Sequence, residues 1–318
     1  MTETPGLVSV VIPVYNGADT LEALVDRLLK VFQDQASECE ILMVNDGSQD
    51  HSWKIIQTLA SSHPQVHGLN LMRNFGQHNA LLAGIRQAKG EIIVTMDDDL
   101  QNPPKEVPKL LAKLAEGHAV VYGNPIQEQH GLVRDNASVF VKIALRAGFG
   151  FKHASHTSAF RAFRAQLRNA FSDFEAKHVS IDVLLTWATN DFAWVLVEHN
   201  ERLSGRSGYS LHKLLSHTIN IVTSFSSLPL RIATFIGFIF MAFGVLILLY
   251  ALLGYFIYDR GVPGFTFIAS IIAIFSGVQL FSLGIIGEYI GRIHQRVLNQ
   301  PCYVISDKTP TAPLNEET

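Results

Sequence analysis

Three consecutive aspartates follow an apolar run in the segment IIVTMDDDLQNPP, at residues 92–104. Adjacent carboxylates repel one another, and each disfavours the ionisation of its neighbours. Something that offsets this repulsion is therefore expected beside them. The candidates are a metal ion, a basic side chain and solvent. Because side chains alternate along an extended chain, we expect Asp97 and Asp99 to share one side and Asp98 to point away.

An Asp-x-Asp pattern at the end of a strand suits a divalent cation. Mg²⁺ and Mn²⁺ prefer oxygen ligands and commonly bind one or two carboxylates together with substrate phosphates. The spacing therefore predicts a metal-held diphosphate, with Asp97 and Asp99 as metal ligands and Gln101 as a further neutral oxygen. A solvated acidic turn without metal is the alternative interpretation.

The elements before and after this segment predict how it is positioned. Apolar runs alternate with segments of helical spacing from residue 7 to about residue 125. This alternation predicts an α/β fold with a doubly wound, mostly parallel sheet, whose ligands bind at the carboxyl ends of the strands. Those ends are predicted to carry Tyr15-Asn16, Asn45 to Ser48, Arg73-Asn74, Asp97 to Asp99 and Gly123-Asn124.

Three of these strand ends carry side chains suited to a nucleotide. Tyr15 can stack on a base, Asp46 can accept hydrogen bonds from a base or ribose, and Arg73 can pair with a diphosphate. Arg73 also precedes a predicted helix whose N-terminus favours anions. The alternatives are a helix N-cap for Asp46 and an ion pair with an aspartate for Arg73.

Composition limits the classes of protein to consider. The chain has 318 residues, a formal net charge of -3 and only two cysteines. It therefore has no broadly basic surface for nucleic acid and no disulfide framework, which is typical of a reducing compartment. The N-terminus lacks a basic segment before an apolar stretch, so no signal peptide is expected.

The hydrophobic excess is concentrated near the C-terminus. Residues 232–258 and 261–287 contain no charged residue, and each run exceeds the roughly 20 residues that a helix needs to cross a bilayer. A transmembrane helical hairpin is predicted, and a buried helix pair in a soluble core is the alternative. Basic residues flank the two runs, whereas the turn between them contains Arg260 beside Asp259, so both termini are expected in the cytoplasm.

Two further segments combine apolar and basic residues. Residues 132–151 and 210–231 are predicted to be amphipathic helices at the membrane interface, and ordinary surface helices are the alternative. The polar tail from Ser306 to Thr318 contains Pro310 and Pro313, and we expect it to be disordered.

Five segments together resemble a known family. They are PVYN (13–16), VNDGSQD (44–50), RNFGQHNALLAG (73–84), DDDLQNPP (97–104) and VQLFSLGIIGEYIGRIHQRV (278–297). The combination is similar to the family-2, GT-A-fold glycosyltransferases that load sugars onto polyprenyl phosphate, including dolichyl-phosphate mannose synthases and bacterial undecaprenyl-phosphate glycosyltransferases. The GQH and QNPP variants look most like the aminoarabinose-type branch.

The resemblance implies a membrane-bound, inverting, metal-dependent glycosyltransferase using Mg²⁺ or Mn²⁺. It would move a sugar from a nucleotide-sugar donor, expected to be UDP-linked, to undecaprenyl phosphate for cell-envelope glycan or lipopolysaccharide modification. A multi-pass protein of the inner membrane is expected, with a cytoplasmic catalytic domain, lipid contacts, a homo-oligomeric state and no nucleic-acid partner.

The alternative is a non-catalytic, membrane-anchored protein that binds nucleotide sugar or lipid. A processive polysaccharide synthase would need more spans and a Q-x-x-R-W motif, which the sequence lacks.

The resemblance also implies domain boundaries. Residues 1–209 would form the GT-A domain, with a donor half of about 1–125 and an acceptor half of about 126–209. A juxtamembrane segment (210–231), the hairpin (232–287) and a cytoplasmic C-terminal segment (288–318) would follow.

Residue roles follow from the matching motifs. The metal group maps to Asp97, Asp99 and Gln101, and the catalytic set is Asp97 and Asp99 with Arg161, which matches the arginine of a G-D-F-R motif. The donor set is Pro13, Tyr15, Asn16, Asp46, Arg73 and Asp97. Asp182, near a predicted helix start, is a candidate for orienting the acceptor, although a carboxylate there needs no such role.

This sequence departs from the family pattern at three positions. Gly17 stands where a glutamate usually follows PxYN, and Ala159 replaces the aspartate of G-D-F-R. The usual G-x-[ST]-K-[YW] reads GRSGY, so its lysine is replaced by Gly208. We expect Arg206, with Arg202, to bind the lipid phosphate instead, since arginine can do this with two parallel hydrogen bonds. A basic segment meeting anionic headgroups is the alternative.

Overall fold

The computed structural model describes residues 6–126, 157–175, 179–200, 228–258, 264–298 and 300–310. The predicted amphipathic helix at 132–151 lies outside the described residues, and so does the segment 210–231 apart from its last four residues. The predicted domain boundary at 209/210 also falls outside them and stays a prediction.

Eight strands form one sheet in the described part of the chain. They are β1 (Val8–Val14), β2 (Cys39–Asn45), β3 (Val66–Leu71), β4 (Ile92–Thr95), β5 (Val120–Pro125), β6 (Arg161–Arg164), β7 (Phe192–Val197) and β8 (Ile305–Lys308). Their order across the sheet is β7-β5-β6-β4-β1-β2-β3-β8. Strands β1 to β4 run parallel, β7 runs parallel to β5, and β6 and β8 are antiparallel to their neighbours. The predicted α/β fold with a mostly parallel sheet is confirmed.

Helices cover both faces of this sheet. They are α1 (Leu21–Asp34), α2 (Ser52–Ser62), α3 (Gln77–Gln87), α4 (Val107–Ala115) and α5 (Ile181–Ala188). Residues of α1, α2 and α4 pack with Val10 and Ile12 of β1, whereas residues of α3 and α5 pack with Val11 on the opposite face. Strand β1 is therefore buried on both sides, which explains why it is apolar at nearly every position.

The chain reverses direction across the sheet beside β1. It passes from β1 to β2 and β3 on one side, and then returns to β4 on the other side of β1. The ladder joins Val8 to Ile92 and Val11 to Thr95, so the carboxyl ends of β1 and β4 are neighbours. This switch point is where open α/β sheets leave a crevice for a ligand.

Two long helices follow, α6 (Leu228–Tyr258) and α7 (Gly264–Val297). Both contain windows long and apolar enough to cross a membrane, Leu230–Ile247 and Ile274–His294. The helices contact each other where the rings of Phe240 and Phe275 meet edge to face at 6.3 Å, beside Gly244. Only 6% and 0% of the two windows are buried, so a buried helix pair in a soluble core does not describe them.

The C-terminal tail differs from the expectation of disorder. Residues Ile305–Lys308 form β8, antiparallel to β3 at the sheet edge, and Thr309 exchanges hydrogen bonds with the backbone of Gly68 at 2.8 and 3.0 Å. Cys302 is buried and donates to the carbonyl of Phe174. The expectation of disorder was wrong for residues 306–310. Pairing with β3 satisfies backbone N–H and C=O groups of this segment, and composition alone does not indicate such a pairing.

Deleting residues 302–318 should destabilise the catalytic domain, because it exposes the edge of β3 and removes the buried Cys302 and Thr309. We expect the thermal midpoint of the detergent-solubilised protein to fall by about 4–8 °C, since 1 kcal/mol corresponds to about 2–4 °C in a domain of this size. Deletion of residues 311–318 is the matched control, because it leaves every described contact of β8 in place. Equal midpoints for the two deletions would contradict a stabilising role of β8.

Candidate active site

A cavity of about 410 Å³ lies at the switch point, beside the carboxyl ends of β1, β2 and β4 and the first residue of α3. The residues that line it are Pro13, Val14, Tyr15, Asn16, Gly17, Thr20, Asp46, Asn74, Gly76, Gln77, Asp97, Asp98 and Asp99. All donor-site candidates from the sequence except Arg73 are among them, so distant motifs meet in one place.

The loop after β1 is held by side chains from the loop after β2 and the first residue of α2. The backbone N–H of Asn16 donates to Ser48 Oγ at 3.0 Å, that of Gly17 to Ser52 Oγ at 3.1 Å and that of Ala18 to Asp50 at 3.2 Å. Burial alone would raise the pKa of Asp50, but hydrogen bonds from Ser52 and Ala18 hold it below its usual value. This loop therefore presents Tyr15, which is exposed, from a fixed backbone.

Asp46 lines the cavity but its carboxylate also holds the protein together. Its two oxygens accept hydrogen bonds from the backbone N–H groups of Phe75 at 2.7 Å and Gly76 at 2.8 Å. Burial raises the pKa of Asp46, and these two hydrogen bonds offset part of that effect. Asp46 thus fixes the segment that leads into α3, and contact with a donor stays a prediction.

The acidic turn, Asp97 to Asp99, does not follow the extended alternation expected from the sequence. Strand β4 ends at Thr95, and Asp98 and Asp99 lie in a turn that continues into Leu100 at φ +59. Asp97, Asp98 and Asp99 are all among the residues that line the cavity. The expectation that Asp98 points away was wrong, because the turn rotates it back towards the loop after β1.

The three carboxylates have different surroundings. Asp97 accepts a hydrogen bond from Gln77 Nε2 at 2.6 Å, and Asp99 accepts one from the backbone N–H of Gln101 at 3.1 Å. Burial, and then the charges of Asp97 and Asp99, raise the pKa of Asp98 to about 7. One oxygen of Asp98, Oδ2, is buried without a hydrogen-bond partner.

The carboxylate oxygens of the acidic turn fit a site that takes a divalent cation together with a ligand. Neutral N–H donors stabilise a carboxylate but add no positive charge, and a divalent cation adds one between neighbouring carboxylates. Within the described ranges, no group of three or more His, Cys, Asp or Glu residues could hold a metal by itself. Mg²⁺ and Mn²⁺ commonly bind one or two carboxylates and complete their coordination with substrate phosphates and water. The arrangement of Asp97 and Asp99 suits this second mode.

Arg161 is buried behind the cavity and does not line it. Its Nε donates to Thr95 Oγ1 at 3.1 Å, and its Nη1 donates to Asp182, which also accepts from the hydroxyl of Tyr122 at 2.9 Å. Thr95 in turn donates to the carbonyl of Ala159 at 2.7 Å. This network anchors the last residue of β4, two positions before Asp97.

Two other candidates lie beside the cavity without lining it. The guanidinium of exposed Arg73 stacks on the ring of Phe75 at 4.4 Å. Gln101 contributes its backbone to the acidic turn, and its carbonyl accepts from the backbone N–H of Asn200 at 2.8 Å. A metal contact from Gln101 and a diphosphate contact from Arg73 stay predictions. Arg202 and Arg206 lie outside the described residues.

The chain that leads to Arg202 is fastened beside the acidic turn. Besides the bond from Asn200 to Gln101, the backbone N–H of Glu198 donates to the buried Glu106 at 3.1 Å. Lys105 forms an ion pair with Glu198 at 2.5 Å between exposed side chains. Asn200, two residues before Arg202, therefore lies beside the acidic turn.

Sequence reasoning assigned no role to several residues that line the cavity. They are Val14, Thr20, Asn74, Gly76, Gln77 and Asp98. Gln77 is the first residue of α3 and donates to Asp97, so the motif GQH carried a signal: a polar side chain at a helix start beside an acidic strand end. His78, by contrast, accepts from the backbone N–H of Ile181 and joins α3 to α5.

The model of a known family matches residues 9–176, which contain the cavity, all of β1 but its first residue, and strands β2 to β6. That family is described as glycosyl transferase family 2. The chain belongs to this family. A second model, the GtrB C-terminal hairpin, matches residues 228–293 of the family-2 glycosyltransferase, which are α6 and most of α7.

Curated relatives share nearly the whole length of the family-2 glycosyltransferase. An undecaprenyl-phosphate 4-deoxy-4-formamido-L-arabinose transferase of Shewanella sediminis is 35% identical over 94% of this chain and 92% of its own length. The enzyme of that name from Pectobacterium carotovorum is 34% identical over 98% and 97%. A solved structure, glucosyl-3-phosphoglycerate synthase of Mycobacterium tuberculosis, has a TM-score of 0.51 at 19% identity over 69% of this chain and 78% of its own, which shows the fold alone.

The raised pKa of Asp98 predicts a pH-dependent stability of the metal-free protein. The folded state disfavours the ionised form, so Asp98 lowers stability above its folded pKa of about 7, and this loss diminishes as the pH falls towards its unfolded value of 3.8. Asp98→Asn should therefore raise the thermal midpoint in EDTA by about 2–6 °C at pH 8, and by less at pH 5. Asp26→Asn, on the exposed face of α1, is the control. A gain that is equal at both pH values would contradict the assignment.

Proposed function

We propose that this family-2 glycosyltransferase transfers a sugar from a nucleotide-sugar donor, UDP-linked, to undecaprenyl phosphate at the membrane surface. One observation carries the proposal. Asp97 and Asp99 share a single cavity with Tyr15 and Asn16, in a chain whose next elements are two apolar helices of membrane-spanning length. The names of the curated relatives support the same acceptor and a 4-deoxy-4-formamido-L-arabinose type of sugar.

The donor would lie along the carboxyl ends of β1 and β4. Tyr15 offers an exposed ring for the base, and Asn16, which also lines the cavity, follows with φ +54. The diphosphate would then reach Asp97 and Asp99, with the N-terminus of α3 at Gly76 and Gln77 facing the same space. A helix N-terminus favours anions, so this side of the cavity complements the phosphates.

A divalent cation, Mg²⁺ or Mn²⁺, would be held by Asp97 and Asp99, with Gln101 as the third candidate. Its chemistry is to stabilise the negative charge on the leaving nucleoside diphosphate. The chain's own residues position the two carboxylates: Gln77 orients Asp97, and the backbone of Gln101 orients Asp99. Arg161 would act on this turn through Thr95 rather than by touching substrate.

The acceptor chemistry needs no strong general base. A phosphate monoester is already anionic near neutral pH, unlike an alcohol, so Ala159 in place of a carboxylate is compatible with transfer. A single displacement at the anomeric carbon inverts its configuration. Asp182 is engaged with Arg161 and Tyr122, which supports a structural role for it over one in orienting the acceptor. Arg202 and Arg206 would bind the lipid phosphate.

The lipid explains why the domain is attached to a hairpin. A polyprenyl chain stays in the bilayer, so the cavity must come to the headgroups. The chain is a membrane-associated protein. The proposal includes a multi-pass arrangement in the inner membrane with both termini in the cytoplasm, and a homo-oligomer that completes the lipid path.

A direct test is to incubate purified protein with labelled nucleotide sugars and undecaprenyl phosphate. Labelled monosaccharyl lipid supports the transferase, whereas donor binding without product under matched sugars would favour a binding protein.

Asp99→Asn should lower turnover at saturating Mg²⁺ or Mn²⁺ by about 100-fold or more, in the range that removal of one charge-stabilising group produces. The substitution keeps the shape of the side chain and removes its charge. Turnover of labelled lipid is the measurement, and Asp26→Asn is the control because that carboxylate is exposed on α1. Unchanged turnover of Asp99→Asn would exclude Asp99 as a metal ligand.

Arg206→Ala should raise the apparent KM for undecaprenyl phosphate by about tenfold, since a charge-assisted hydrogen bond contributes about 1.5–3 kcal/mol. The KM for the nucleotide sugar should change by less than about twofold, a free-energy change well under the 1.4 kcal/mol of a tenfold effect. Arg27→Ala, on the exposed side of α1, is the matched control. Equal effects on both KM values would point to a general defect and count against a lipid-phosphate site.

A further inference from the structure

The carboxyl group of Asp98 occupies the space beside Gly17. A Cβ atom at position 17 would lie 2.2 Å from Asp98 Oδ2 and 3.1 Å from its Cγ. Contacts under 3.0 Å between such atoms do not occur, so an ordinary side chain at 17 and the observed position of Asp98 exclude each other. The backbone of Gly17 has no positive φ, so glycine is required here for space and not for conformation.

Asp98 and the other residues that hold the loop after β1 come from the two strands on either side of β1. The N–H groups of Asn16, Gly17 and Ala18 are held by Ser48 and Asp50 of the loop after β2 and by Ser52, the first residue of α2. Asp98, from the end of β4, interacts with the N–H of Tyr15 and packs on Gly17. The loop is thus confined between two neighbouring strand ends, and Asp98 supplies the contact across the switch point.

We propose that Asp98 is a positioning residue that fixes the Tyr15–Ala18 loop for donor binding, and that Gly17 is present because it leaves room for the Asp98 side chain. The shape of the side chain carries this role. Oδ2 is buried without a partner, and a charge on an unpaired buried oxygen is unfavourable, so an isosteric neutral side chain serves as well. The part of this inference that concerns the donor rests on the proposed function.

The geometry offers a double-mutant cycle. Asp98→Ala removes the carboxyl group, and Gly17→Ala displaces it without removing it. Because Asp98 Oδ2 is at the end of a short side chain that can swing away, Gly17→Ala should act only through Asp98. The effect of Gly17→Ala should then vanish in the Asp98→Ala background, since residues that share one contact are not additive. Asp98→Asn keeps the shape of the side chain, so it should leave the exchange of the loop amides and the affinity for UDP close to those of the wild type.

Hydrogen exchange of the metal-free, full-length protein tests the positioning directly. Amides of Tyr15 to Ala18 should exchange about tenfold faster in Asp98→Ala and in Gly17→Ala, a loss of protection typical of local opening, and no faster in the double variant than in Asp98→Ala. Asp98→Asn and the control Asp26→Ala should match the wild type. Wild-type exchange in Asp98→Ala, or additive effects in the double variant, would overturn the inference.

Binding of UDP with Mn²⁺, measured by calorimetry, tests the consequence for the donor. The Kd should rise about tenfold in Asp98→Ala and in Gly17→Ala, and by less than about twofold in Asp98→Asn. A rise in Asp98→Asn equal to that in Asp98→Ala would assign the effect to charge and overturn the role of shape. If the wild-type protein makes no glycolipid, the proposed function fails, while the exchange experiment still decides the position of Asp98.

Discussion

Like charge at the end of β4 is the constraint on which the site depends. Asp97, Asp98 and Asp99 follow a strand that is buried at every residue but its first, and the fold stabilises the turn with neutral donors and close packing. The described hydrogen bonds to these carboxylates come from the side-chain amide of Gln77 and from backbone N–H groups. Burial and mutual repulsion therefore leave Asp98 with a pKa of about 7, and they leave the turn suited to a cation that arrives with its ligand.

The sheet topology brings the other half of the site to this turn. Because β1 and β4 are neighbours at the switch point, the loop after β1 and the acidic turn face each other across one cavity. Asp46 and the start of α3 close a third side through hydrogen bonds to Phe75 and Gly76. A buried network of Arg161, Asp182, Tyr122 and Thr95 supports β4 from behind. The candidate metal ligands thus lie just after a strand end, and the network behind β4 supports that end.

Attachment to the membrane involves both ends of the catalytic domain. Strand β7 precedes the two long helices along the chain, with Glu198 and Asn200 bonded beside the acidic turn, and β8 follows them at the far edge of the sheet. Two connections restrict the rotation of a domain more than one does, since each additional anchor removes orientational freedom. This arrangement is consistent with a cavity that must meet a phosphate held at the bilayer surface.

The sequence by itself determined the α/β sheet and the apolar hairpin, because apolar runs that alternate with helical segments and long uncharged runs each admit few structures. The family was indicated by the resemblance of five motifs. The sequence also identified most of the strand ends that form the cavity. Only the tertiary structure decided that Asp98 faces Gly17, that Gln77 holds Asp97, that Arg161 is buried and that the polar tail forms β8. These facts depend on a turn with positive φ at Leu100 and on pairings between residues far apart in the chain, which local periodicity does not encode.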